Sequence, residues 1–151
     1  MSKKPEDQKR RILGIDYGTR RIGISLSDPL QIIAQPYETI ENGPKTLLRI
    51  CQMIASEDVE LVVVGMPLNL KGEKGQKAKE VERFVKELAN VTTTDVMVWD
   101  ERFTTSMAHQ TLLDMGTKRE ERRNNKGRVD AMAAALLLQS FLDSRKRSLS
   151  C

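Results

Sequence analysis

At 151 residues the chain fits one domain and is long enough to bury a substantial core. Its 30% charged and 39% hydrophobic residues are those of an ordinary globular chain, which excludes wholesale disorder. The net charge of +4 is concentrated in segments 3–11, 118–128 and 145–147, and basic segments of this kind favour phosphate-rich partners.

In chain order, residues 12–17 (ILGIDY) read as a short buried strand. Gly18, Thr19 and Arg20 make a turn, and residues 21–28 alternate with Ile22, Ile24 and Leu26 on one face, completing a hairpin. Residues 32–39 predict a third strand, and Pro36 assigns it to the sheet edge, where a missing N–H is tolerated. Asn42, Gly43 and Pro44 announce a helix with Pro44 at its first position and Leu47, Leu48, Cys51, Ile54 and Ala55 turned inward. Residues 61–64 (LVVV) are uninterrupted β-branched or aliphatic residues, as in a parallel strand covered on both faces. A Gly-, Asn- and Lys-rich loop leads to a second helix carrying Ala78, Val81, Val85 and Leu88 inward. Residues 95–99 predict another buried strand, followed by Asp100, Glu101 and Arg102. Thr104 or Thr105 is suited to cap a third helix with Ala108, Leu112 and Met115 inward. Residues 129–142 form a last helix, apolar around much of its circumference.

The order β-β-β-α-β-α-β-α-α implies an α/β fold with a five-stranded mixed sheet: antiparallel strands first, then right-handed parallel crossovers. One domain over 12–143 is expected, with basic tails at 1–11 and 144–151. No run approaches the roughly 20 apolar residues of a membrane span. The segment MSKKPEDQKRR lacks the apolar core of a secretory leader, and Cys51 and Cys151 form no metal or disulfide pattern. A reducing cytoplasm is the expected compartment.

Three acids stand at junctions between apolar runs and polar segments: Asp16 in ILGIDYGTRRIG, Glu101 in VWDERFTT and Asp130 in KGRVDAMAAA. Ligands in such sheets bind beyond the carboxyl ends of the parallel strands, where this topology gathers all three. Clustered carboxylates repel unless a cation lies among them, and divalent metal with oxygen ligands commonly serves phosphoryl transfer. Each acid also has a plainer reading. Glu101 can pair with Arg102 or cap the next helix, and Asp130 can favour a helix N-terminus through the dipole. Asp16, inside an apolar strand, has few innocent explanations.

GIDYGTRRIGISLSD, VVVGMPLNLKGEKG, WDERFTT and VDAMAAALLLQSFLD, in this order, resemble the YqgF family, whose members are described as Holliday-junction resolvases and as pre-16S ribosomal RNA nucleases. The resemblance covers about Ile12 to Asp143 and implies a ribonuclease-H-like fold with a metal-dependent active site formed by Asp16, Glu101 and Asp130. Lys71 departs from the pattern, since related sequences often carry an acid before the Gly of that loop. Chemically, two Mg²⁺ or Mn²⁺ ions about 3.5–4 Å apart would activate water and stabilise the leaving oxygen, with Asp16 as the bridging ligand.

Nucleic-acid contacts are expected from Gly18 and Thr19 by close backbone approach, from Arg20 (or Arg21) as a bidentate donor, and from Arg102, Thr104, Thr105, Lys126 and Arg128. The competing readings are a plain hairpin turn, ion pairs and helix capping. His109 reads as an ordinary helix residue, Trp99 as core, and the scattered Met residues as core filler. So few aromatic residues disfavour a single-strand stacking platform. Two further classes stay open. One is an ATP-using phosphotransferase, whose phosphate loop also reads Asp-x-Gly-Thr. The other is a nucleic-acid-binding protein without catalysis. The expected substrate is precursor ribosomal RNA, within or without ribosomal particles, or else branched DNA; a monomer or homodimer fits the former, a symmetric dimer the latter.

Overall fold

The computed structural model describes residues 10–68, 74–103 and 126–149, with the backbone alone at 103, 126–129 and 146–149. Five strands, β1 (Arg11–Asp16), β2 (Arg21–Ser27), β3 (Ala34–Glu41), β4 (Val59–Met66) and β5 (Asp95–Asp100), form one sheet in the order β3-β2-β1-β4-β5. The first three are antiparallel, whereas β4 and β5 run parallel to β1. The mixed sheet read from the sequence is therefore present, and Pro36 does lie on an edge strand, beside a register shift between Ile24 and Ser25.

The helices α1 (Thr46–Ser56), α2 (Gln76–Val91) and α3 (Lys126–Leu149) cover the two faces. Odd residues of β1 and even residues of β2 and β4 face α1 and α2. Leu13, Ile15, Ile24, Val62 and Val64 there meet Ile50, Met53, Val81 and Leu88. The opposite face packs on α3 through a smaller cluster of Ile12, Val63, Leu138, Phe141 and Leu142. Trp99 joins it edge-on to Phe141, with ring centroids 5.4 Å apart. Full burial of such side chains contributes about 1.5–3 kcal/mol each.

Small residues let α3 approach its face of the sheet. Ser25, fully buried, donates its hydroxyl to the Ala134 carbonyl at 2.8 Å, joining strand to helix without an unsatisfied group. Gln139 clamps the start of β3, accepting from Ala34 N at 2.8 Å and donating to Ile32 O at 3.0 Å.

Several local expectations are corrected. The first helix opens at Thr46 rather than Pro44. The Thr46 hydroxyl accepts from Gly43 N at 2.8 Å and donates to Glu41 O at 3.2 Å, closing a turn ahead of the helix. Its inward face is Thr46, Ile50, Met53 and Ile54, leaving Leu48 60% exposed and Ala55 exposed. On α2 the buried set is Ala78, Val81, Phe84 and Leu88, with Val85 only partly buried. Strand β5 is an outer strand, so Val98 is 43% exposed where full burial was expected. The last helix extends from Lys126 to Leu149, so residues 144–149 are helical. At the other end Arg11 opens β1, and Arg10 bonds Asp58 at 3.2 Å and Val59 O at 3.1 Å. The third helix expected after Thr104, with His109, lies outside the described residues. No helix among the described residues is long and apolar enough to cross a membrane.

Candidate active site

Asp16 closes β1, the middle strand, on the face that packs against α3. Its partner across the antiparallel pair is Gly23. On the other side, one step beyond the paired Ile15 and Val64, comes Gly65 of β4. Both neighbours lack a side chain, and both gaps are used. A Cβ on Gly23 would lie 2.0 Å from the Asp130 carbonyl oxygen, so α3 rests its backbone directly on β2 at this point. A Cβ on Gly65 would lie 2.6 Å from Glu101 Oε1 and 2.8 Å from a Leu137 methyl group, so the Glu101 side chain crosses β4 in the space that Gly65 leaves.

That crossing brings Glu101, from the short 3-10 turn Glu101–Phe103 after β5, into hydrogen-bond contact with Asp16. Burial is the main reason that the Asp16 carboxyl is pushed up to about 6. The Glu101 charge adds to it, Lys77 opposes it, and Asp130 adds a smaller repulsion. Glu101 is also raised by burial, less so because Lys77 draws it down and Asp16 donates its proton to it. Below about pH 6 the two carboxyl groups thus share a proton at the carboxyl edge of the sheet, and the third acid is close enough to be felt.

Asp130 carries a partner of its own. Arg21, the first residue of β2, donates from Nε to Asp130 Oδ2 at 2.7 Å, with side chains 39% and 29% exposed. Since α3 starts at Lys126, Asp130 stands in its second turn, beyond the stretch where a helix dipole favours an acid strongly. Among the described residues no group of three or more acidic, histidine or cysteine side chains lies in metal-holding geometry. Asp16 and Glu101 hold one another while Asp130 turns to Arg21.

The other candidate residues separate clearly. Gly18 sits in a tight turn, where a Cβ would lie 2.3 Å from the Arg21 carbonyl oxygen. Asn42 ties that turn to the end of β3, donating to Gly18 O and Arg20 O at 2.9 Å each. Thr19 and Arg20 are exposed beside it. Arg102 grips Asp100 through Nε and Nη2 at 2.8 and 2.6 Å. Thr104 and Thr105 lie outside the described residues, as do the side chains of Lys126 and Arg128, whose backbone opens α3.

Sequence reading missed three contributors. Gly65 looks like the end of an apolar run, and Gly23 like an ordinary strand glycine; only their neighbours in space reveal the reason. Lys77, in the first turn of α2, belongs to a loop-and-helix segment from the opposite face. The bridge between Leu68 and Lys74 folds the β4–α2 connection back on itself, and α2 begins two residues later. Tyr17 packs on Phe84 of α2 with ring centroids 4.7 Å apart, locking that helix beneath the acids.

Comparison with known proteins agrees with this architecture. A family model described as "RuvX: Holliday junction resolvase" matches residues 10–144. A protein of Lachnospira eligens named "Putative pre-16S rRNA nuclease" is 42% identical over 142 residues, covering 91% of this chain and 99% of its own. A protein of the same name from Ruminiclostridium cellulolyticum is 40% identical over 136 residues, covering 88% and 94%. Among solved structures, T. thermophilus RuvC in complex with Holliday junction substrate aligns with a TM-score of 0.57 at 16% identity, covering 92% of this chain and 97% of that one. The Fowlpox virus resolvase in its Holliday junction DNA complex aligns with a TM-score of 0.53 at 12% identity, covering 89% and 98%. At those identities the structures share the fold, which is ribonuclease-H-like. With its model matched along nearly the whole chain and relatives at 40% identity or more, the chain belongs to the RuvX (YqgF) family.

Proposed function

We propose that this protein is a metal-dependent nuclease that hydrolyses phosphodiester bonds in precursor 16S ribosomal RNA, with Asp16, Glu101 and Asp130 as its acidic centre. The observation that carries the reading is the Asp16–Glu101 contact across Gly65, with Asp130 near enough to raise the Asp16 pKa. Burying two carboxyls against one another is unfavourable, and a protein core gains nothing from it. A site that holds a hard divalent cation needs that arrangement.

The donor set fits such a cation. All candidate ligands are carboxylate oxygens, which suit Mg²⁺ or Mn²⁺, and the proton shared by Asp16 and Glu101 marks where positive charge is favoured. Asp16, Glu101 and, once turned from Arg21, Asp130 would hold the metal, which supplies charge stabilisation at the scissile phosphate and lowers the pKa of water. The chain's own residues do the rest. Asp16 sheds its proton near pH 6, so its carboxylate is available to a cation at neutral pH. Lys77 adds positive charge on the side of α2, where it stabilises the ionised pair and can meet a phosphate oxygen. Exposed Thr19 and Arg20 beside the turn offer donors to the backbone of the strand.

The RNA substrate rests on the names of the relatives. Branched DNA is the second reading, favoured by the description of the family model. One preparation tested on precursor 16S RNA and on a four-way DNA junction, in Mg²⁺ and in Mn²⁺, separates them. Cleavage of the RNA that disappears in Asp16→Asn supports the first reading. Paired cuts in the junction by a dimer support the second. Binding without cleavage by either form would mean a nucleic-acid-binding module instead.

A further inference from the structure

We propose that Arg21 is the internal counter-cation of Asp130: it holds that carboxylate until a divalent ion takes it, and the released guanidinium then binds a phosphate of the nucleic-acid strand. The inference rests on the acidic centre proposed above and goes further, because it gives Arg21 two successive partners. The bond from Nε to Oδ2 is 2.7 Å, the short length of a charge-assisted hydrogen bond. Geometry keeps the two residues opposed. Arg21 opens β2, Gly23 two residues on admits the α3 backbone at Asp130, and the carboxylate is brought down beside the guanidinium.

The pair is partly open to solvent, so its partners can be exchanged. A fully buried ion pair would resist exchange, since breaking it strands a charge away from water. The bond runs through Nε, one edge of a planar fork with five N–H donors, the shape that suits phosphate as well as carboxylate. Arg21 also follows the exposed Thr19 and Arg20 directly, where the turn after Asp16, the last residue of β1, leads into β2. While Asp130 holds Arg21, the two charges offset one another, and each attracts a ligand less strongly than it would alone. Metal at Asp130 changes both at once, which couples loading of the ion to grip on the strand.

Three proteins, wild type, Arg21→Gln and Asp130→Asn, would be compared by calorimetric Mn²⁺ binding and by salt titration of nucleic-acid binding, in chelator and in Ca²⁺. Removing the competing positive charge should tighten Mn²⁺ binding in Arg21→Gln by about tenfold, the size of a unit charge acting on a divalent ion a few ångströms away in a near-aqueous dielectric. In Ca²⁺ the wild type should show a salt slope steeper than Arg21→Gln by about one phosphate contact, and in chelator the two slopes should coincide. Asp130→Asn in chelator should show the steeper slope without any metal. Thermal melting of each variant checks that it is folded, and Arg21→Lys, which keeps the charge, replaces Arg21→Gln if the latter is not. With Lys, the Mn²⁺ affinity should stay near the wild-type value.

Weaker Mn²⁺ binding in Arg21→Gln would overturn the exchange, showing Arg21 as a support for the ligand instead. Equal slopes in Ca²⁺ would overturn the phosphate contact. If Asp130→Asn binds Mn²⁺ as wild type does, the acidic centre itself is misassigned, and the inference falls with it.

Discussion

Glu101 reaches Asp16 by lying over Gly65: a single added carbon there would stand 2.6 Å from the Glu101 carboxylate oxygen. Strand β4 separates the two acids in the sheet, and the missing side chain is what lets them meet. Gly65→Ala should therefore displace Glu101 and press on Leu137. We expect nuclease activity to fall by about 100-fold, the effect of an ångström-scale misplacement at a reacting centre. Overpacking should cost about 1–3 kcal/mol of stability. Denaturant melts alongside cleavage rates would test this, and full activity in a folded Gly65→Ala protein would contradict the role given to Glu101.

Asp16→Asn should abolish cleavage while making the metal-free protein more stable at neutral pH. The sign follows from linkage: a carboxyl whose folded pKa is raised contributes stability while protonated, and loses it as pH rises through about 6. The wild type in chelator should thus weaken between roughly pH 4 and pH 7 by about 2 kcal/mol relative to Asp16→Asn. Urea denaturation across that range measures it, and parallel curves would refute the buried, raised carboxyl.

Divalent metal should reverse that penalty. At about 100 times its dissociation constant, Mn²⁺ adds about 2.7 kcal/mol of stability by mass action. The gain should shrink as pH falls below about 6, because protons compete for Asp16. It should also be lost in Asp16→Asn. Melting temperatures with and without Mn²⁺ at pH 5 and pH 8 give the comparison.

Lys77 draws down both Asp16 and Glu101. Lys77→Met removes that pull, so the acid limb of the pH–rate profile should move to higher pH, with the fold unaffected because the side chain is exposed. An unmoved limb would show that Lys77 does not act on the acids.

Gly23→Ala tests the seat of α3. Its Cβ would lie 2.0 Å from the Asp130 carbonyl oxygen and 2.5 Å from the carbonyl carbon, both backbone atoms that cannot turn aside. We expect a loss of about 3 kcal/mol or more, greater than for Gly65→Ala, where a flexible side chain can yield. Equal stability of the two variants would count against this contact.

Much of this protein is legible from sequence alone because its signals are local. Strands β1 and β4 are apolar runs, α2 repeats at helical spacing, and Pro36 marks an edge, each through a property of neighbouring residues. The order of these elements implies the sheet, and an aspartate in an apolar strand is conspicuous wherever it is met. Only the tertiary structure decided the rest. Arg21 and Asp130 are 109 residues apart, and no spacing rule pairs them rather than Arg21 with a phosphate. Which face of α1 turns inward, and that β5 is an outer strand, depend on neighbours that the segments themselves do not encode. Gly23 and Gly65 matter for what occupies the space beside them, a quantity that exists only once distant parts of the chain have packed together.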